Sequence, residues 1–146
     1  MAKNSALDIL IELASTQSDE AARRLGVAVR ACEDNEQKLA MLMQYRDDYE
    51  ARFRAGVANG ISMAGYRNFQ QFLEKLDTAI AGQQKAVDNA RQRIENERGQ
   101  WQSCERKRLS YDTLATRAQA LEQRKENKRD QKMMDEYATR LANYKR

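Results

Sequence analysis

The chain has 146 residues, 33% of them charged, with a formal net charge of +4 and neither histidine nor proline. A mean hydropathy of −0.92 and an aromatic content of 7% leave too little apolar volume for a broad layered core, but enough for a narrow seam between two helices. Without histidine the chain lacks the commonest general base and metal ligand, and no run of about 20 apolar residues is present to span a membrane.

The missing prolines point to long helices. A chain of this length carries about seven at the average frequency, and each costs about 3 kcal/mol inside a helix. Residues 1–5 lead directly into an amphipathic pattern containing Asp8 and Glu12, unlike the unbroken apolar core of a signal peptide. A cytosolic protein is expected, with Cys32 and Cys104 reduced. Charge is uneven: residues 1–60 carry 8 bases and 10 acids, residues 61–146 carry 18 and 12. The second half therefore favours acidic surfaces.

The first helix is expected over about residues 5–54, with Ser5 as N-cap and Asp8 three residues on. Alternating steps of four and three from Leu7 give a seam running through Ala14, Ser18, Ala21, Ala28, Cys32, Asn35, Leu39, Leu42, Arg46 and Tyr49 to Phe53. Eleven of its 14 positions are apolar. A heptad phase held that long argues for a coiled coil. Off the seam, pairs such as Glu20–Arg24 and Asp34–Lys38 are spaced four apart with the acid first, each worth a few tenths of a kcal/mol.

Residues 55–65 hold three of the six glycines, Gly56, Gly60 and Gly65, and an Asn59-Gly60 turn signal. This segment is the expected hairpin tip, and Ser62 is positioned to cap the next helix.

The second helix is expected from about Met63 or Tyr66, paired as far as about residue 118. Its seam runs from Tyr66 through Phe69, Leu73, Leu76, Ile80, Gln83, Val87, Ile94, Glu97, Trp101, Cys104, Arg108 and Tyr111 to Ala118, with 13 of 16 positions apolar. Gly82 and Gly99 lie off the seam and weaken the helix by about 1 kcal/mol each relative to alanine, which makes them the two candidate positions for a bend. Past Tyr111 the phase slips toward Leu114 and Leu121, which relaxes the supercoil.

The expected architecture is all-α: an antiparallel two-helix coiled-coil hairpin in one domain, its C-terminal helix extending beyond its partner. Folding about a tip near residue 60 sets opposite each other residues whose numbers sum to about 120. Residues 119–146 then have no partner within the hairpin. The segment 122–132 contains no apolar residue and mixes five bases, Arg124, Lys125, Lys128, Arg129 and Lys132, with three acids. That alternation reads as a solvated helix face rather than a nucleic-acid patch. Met133, Met134, Tyr137, Leu141 and Tyr144 then share one helical face with nothing in the chain to cover it, which makes the extension a candidate partner-binding tail.

No catalytic, cofactor-binding or metal-binding set emerges. Cys32 and Cys104 would lie about 24 Å apart along the hairpin, beyond disulfide reach, and the tip glycines lack the lysine of a phosphate loop. More informative is a group near the tip. The pairing rule brings Leu42, Tyr45, Tyr49, Phe72, Leu76, Ala79 and Gln83 to one level, more apolar surface than a two-helix seam buries. They form either a locally widened core or an exposed aromatic binding patch.

The segments 39–49 (LAMLMQYRDDY), Asn59-Gly60-Ile61, 68–72 (NFQQF) and 130–136 (DQKMMDE), with Ala21-Ala22-Arg23 and Leu25-Gly26, resemble the FliJ family of flagellar type III export proteins in order and spacing across the whole chain. The resemblance implies a non-enzymatic antiparallel coiled coil, similar to the central stalk of rotary ATPases, that is cytoplasmic and peripheral to the inner membrane at the flagellar base through protein contacts. It further implies that such a protein enters the hexameric export ATPase FliI, contacts the export-gate membrane protein FlhA and escorts export chaperones, with the ATPase regulator FliH as a further partner and no nucleic acid. The gate-binding surface of the family matches Leu42, Tyr45, Tyr49, Phe72, Leu76 and Ala79; its flanking polar Gln and His are replaced here by Lys38 and Gln83. The ATPase-binding tail would use Arg124, Lys125, Lys128, Arg129, Met133, Tyr137 and Leu141. The alternative reading is a generic dimerising scaffold.

Overall fold

With no proline to break them and apolar residues every three or four positions, the residues fall into two helices. A computed structural model describes residues 5–145, with α1 at Ser5–Ala58 and α2 at Met63–Tyr144 and no strand among the described residues. The fold is an all-α helical hairpin. The side chain of Ser5, the expected N-cap, lies outside the described residues.

The turn is shorter than the glycine cluster suggests. α1 runs on to Ala58 and takes in Gly56, while α2 starts at Met63 and takes in Gly65, leaving only residues 59–62 between the helices. Gly60 has φ +86°, a left-handed conformation that glycine adopts without cost. The Gly60 amide donates to Val57 O at 3.2 Å and the Asn59 amide to Ala55 O at 3.2 Å, which satisfies the end of α1. Ser62 caps α2 as its position suggests, its Oγ accepting from the Gly65 amide at 3.1 Å. Gly65 gives the Ile61 side chain its space: a Cβ there would lie 2.9 Å from Ile61 Cγ1 and force that side chain to shift. α2 carries Gly82 and Gly99 with no break in the helix.

The chain divides into two compact units, Asp19–Gln102 and the pair of segments Met1–Ser18 and Ser103–Arg146. In the first, the fully covered seam residues are small or β-branched, Ala21, Ala28, Cys32 and Val87, with Leu76 close behind. Larger seam residues such as Leu39, Phe53, Ile80, Ile94 and Trp101 are half-buried. This is what two helices alone provide, since each shields only the centre of its partner's face. Cross-helix partners Asn35–Gln83, Tyr49–Phe72, Phe53–Tyr66 and Arg24–Glu97 obey the sum of about 120. Ion pairs Arg46–Asp77 at 2.5 Å and Arg91–Glu36 at 3.4 Å flank the seam. Both pairs are open to solvent, which screens them, so they add little to stability. In the second unit Ala14 and Ser18 are buried and Leu7, Ile11, Tyr111 and Ala115 half-buried, whereas Leu114 and Leu121 are exposed; the expected slip toward Leu114 and Leu121 does not occur, and the seam keeps its phase as far as Ala115.

Candidate functional site

In the unit Asp19–Gln102, the residues nearest the turn build a continuous chain of rings. Tyr45, Tyr49 and Phe53 lie one helical turn apart on α1, and Tyr66, Phe69 and Phe72 do the same on α2. Tyr49 sits at the centre, its ring centroid 4.5 Å from both Phe69 and Phe72 and 6.4 Å from Tyr45. Tyr45 also meets Phe72 edge-on at 6.2 Å, and Phe53 lies 4.7 Å from Phe69 and 5.5 Å from Tyr66. Each such pair contributes about 0.5–1.5 kcal/mol beyond area burial.

The seven residues expected at this level separate by depth. Leu76 is only 7% exposed and belongs to the core, while Leu42, Tyr49 and Phe72 are half-buried. Tyr45 is 50% exposed and Ala79 is exposed. Gln83 turns inward, its Nε2 donating to Asn35 O at 2.9 Å and Asn35 Oδ1 at 3.0 Å. Sequence reasoning missed Met41, exposed one turn before Tyr45, and treated Phe53, Tyr66 and Phe69 as seam alone. The signal for Met41 was its spacing of four from Tyr45. The widened core and the surface patch thus coexist, with Tyr49 and Phe72 as floor and Met41, Tyr45 and Ala79 as rim.

A polar layer interrupts the seam in the other unit. The buried Ser18 hydroxyl donates to Glu105 Oε1, and Arg108 holds the same carboxylate through Nε at 3.1 Å and a second guanidinium nitrogen at 2.8 Å. The Arg108 hydrogen bonds, then that from Ser18, lower the Glu105 pKa to about 2 against the opposing effect of desolvation. Arg108 also bonds Asp112 at 3.3 Å. In the first unit, burial and then Glu36 push the Cys32 thiol up, so it is a poor nucleophile. Both cysteines carry free thiols.

The tail remains helical without cover. Every described residue from Ala118 onward is exposed, including Arg124, Lys125, Lys128 and Arg129. So are Met133, Met134, Tyr137, Leu141 and Tyr144, the last 90% exposed. Arg129 pairs with Glu122 at 3.7 Å, an interaction within the helix. Among the described residues no helix is long and apolar enough to cross a membrane, and no cluster of three or more His, Cys, Asp or Glu is placed to hold a metal ion.

Residues 3–146 match the family described as Flagellar FliJ protein. The chain is 34% identical to the Flagellar FliJ protein of Salmonella typhi and 32% identical to that of Escherichia coli strain K12, each over 142 residues covering 97% of both chains.

Proposed function

The chain belongs to the Flagellar FliJ protein family, and from that premise we propose that it is a non-enzymatic component of the flagellar type III export apparatus. In this reading it couples the export ATPase ring of FliI to the membrane export gate FlhA and escorts export chaperones, acting in the cytoplasm and at the inner face of the membrane. The supporting observation is that each unit leaves large apolar side chains uncovered, among them the aromatic patch around Tyr45 in one and the helical tail in the other. Large exposed aromatic and methionine side chains over a rigid floor are the composition of a protein-binding hot spot. The patch is assigned to the gate, with Leu42, Tyr45, Tyr49, Phe72 and Ala79 as its surface. The tail is assigned to the ATPase ring, where its bases reach acidic ring surfaces and Met133, Tyr137 and Leu141 supply apolar anchors. FliH is a further candidate at the ring.

Pull-down of the gate's cytoplasmic domain by the double variant Tyr45→Ala, Tyr49→Ala tests the patch, which requires binding and motility to fall. Deleting residues 119–146 tests the tail, and unchanged ATPase stimulation would refute that assignment. One observation favours a dimerising scaffold instead: Met134, Tyr137, Leu141 and Tyr144 follow the steps of three and four that a coiled-coil seam uses. A concentration-dependent mass in sedimentation equilibrium supports that reading, and a monomer at all concentrations removes it.

A further inference from the structure

In the unit Asp19–Gln102, one layer of the seam is made of two amides. Asn35 is oriented by its own helix, its Nδ2 donating to Ala31 O at 2.9 Å, which turns Oδ1 toward α2. Gln83 Nε2 is shared between that Oδ1 and the Asn35 carbonyl. Both residues are half-buried, between the apolar residues Cys32 and Leu39 on one helix and Ile80 and Val87 on the other. Apolar layers are nearly interchangeable, because a Leu or Val accepts any apolar neighbour. Amides are not: each needs its partner or water. Sliding the helices by one heptad, about 10 Å, would set Asn35 against Leu76 and strand both amides. Such a slide would recentre the turn on Gly56, the nearest glycine before Gly60, and would give up the left-handed Gly60 and the Ser62 cap, so turn and amide pair favour the same register.

We propose that the Asn35–Gln83 pair is the register key of this unit, and that Gln83 is a positioning residue for the aromatic patch rather than one of its contact residues. A polar pair in a mostly apolar seam is the best-attested device for holding coiled-coil register, and this is the layer in which the two seam positions hydrogen-bond directly to each other; the charged seam residues Arg46 and Glu97 pair instead with Asp77 and Arg24. The patch depends on register because it is composite: Tyr45 comes from α1 and Phe72 from α2, and they meet at 6.2 Å only in the present alignment. The positioning role rests on the patch reading given above; the register role does not.

The test uses the full chain carrying Cys32→Ser and Cys104→Ser, with one of two added cysteine pairs. Leu39→Cys with Ile80→Cys reports the present register, and Leu39→Cys with Leu73→Cys reports the slid one. With Asn35 and Gln83 intact, only the first pair oxidises to a disulfide. In the double variant Asn35→Leu, Gln83→Leu, helix content and melting temperature are retained or raised, yet both pairs close. Binding to the gate's cytoplasmic domain, measured without the added cysteines, weakens in proportion to the slid fraction, about twofold if half the molecules slide. The swapped pair Asn35→Gln, Gln83→Asn restores single-register cross-linking and binding. Exclusive closure of the first pair in the double leucine variant would overturn the register key. Loss of gate binding in Gln83→Leu with register unchanged would make Gln83 a contact residue and overturn the positioning role. Sliding without any loss of gate binding would leave the key standing and sink the patch reading.

Discussion

Replacing Tyr49 or Tyr45 by alanine separates the floor of the aromatic patch from its rim. The Tyr49 ring contacts Phe69, Phe72 and Tyr45, two of them at 4.5 Å, and is half-buried. Its three ring pairs at about 0.5–1.5 kcal/mol each overlap with a truncation cost that reaches 3–5 kcal/mol for a fully buried aromatic. Discounted for partial exposure, the loss comes to about 2–4 kcal/mol. Tyr45 keeps half its surface in water and makes two ring contacts, both beyond 6 Å, so its loss is about 1 kcal/mol. Urea unfolding of the full chain followed by helical circular dichroism at 222 nm measures both. Tyr49→Ala should move the midpoint at least twice as far as Tyr45→Ala. Gate binding should fall in both, and in Tyr45→Ala it should do so without unfolding. Equal midpoint shifts would refute the division into floor and rim.

Gly82→Ala should raise stability by about 0.5–1 kcal/mol, because the position is helical and open, whereas Gly60→Ala should lower it by about 1 kcal/mol at φ +86°; thermal melts compare them directly. Glu105 should titrate near 2 rather than at the ordinary carboxylate value, as read from its carboxyl carbon shift by NMR. Because its folded pKa is depressed, its contribution is complete above the unfolded value of about 4.3 and is lost as pH falls toward 2. Ser18→Ala should raise that pKa, and Arg108→Gln should raise it further. Removing residues 119–146 should leave the melting midpoint nearly unchanged, since none of the described residues in that stretch is buried.

The helices, their antiparallel pairing and the partners across the seam follow from spacing alone. A repeat of 3.5 held over many turns dictates which face is covered, and a single glycine-rich break dictates which residues meet. Tyr49 and Phe72 at one level were legible for that reason, whereas the pairing rule sets Phe53 opposite Arg67 and the structure sets it against Tyr66, one position away. The turn was not legible to the residue. Glycine marks flexibility, but whether Gly56 and Gly65 lie inside helices depends on capping by Ser62 and on the space beside Ile61. The polar seam positions were also hard to read. Asn35 and Gln83 look like isolated exceptions along the chain, and only the sum rule applied to them as a pair reveals the hydrogen bonds. Gln83 was accordingly grouped with the patch although its amide points into the seam. Depth within the patch escaped sequence for a similar reason: Leu76 and Ala79 are one turn apart, and a few tens of degrees of rotation decide that one is core and the other surface.

In the proposed function two separate surfaces serve two partners. One measurement tests it most directly: quantitative pull-down of the export ATPase and of the gate's cytoplasmic domain by three proteins, the intact chain, Tyr45→Ala and the deletion of residues 119–146. Tyr45→Ala should lose the gate and keep the ATPase, and the deletion should lose the ATPase and keep the gate. Parallel loss of both partners in either variant, or of neither in both, would contradict it.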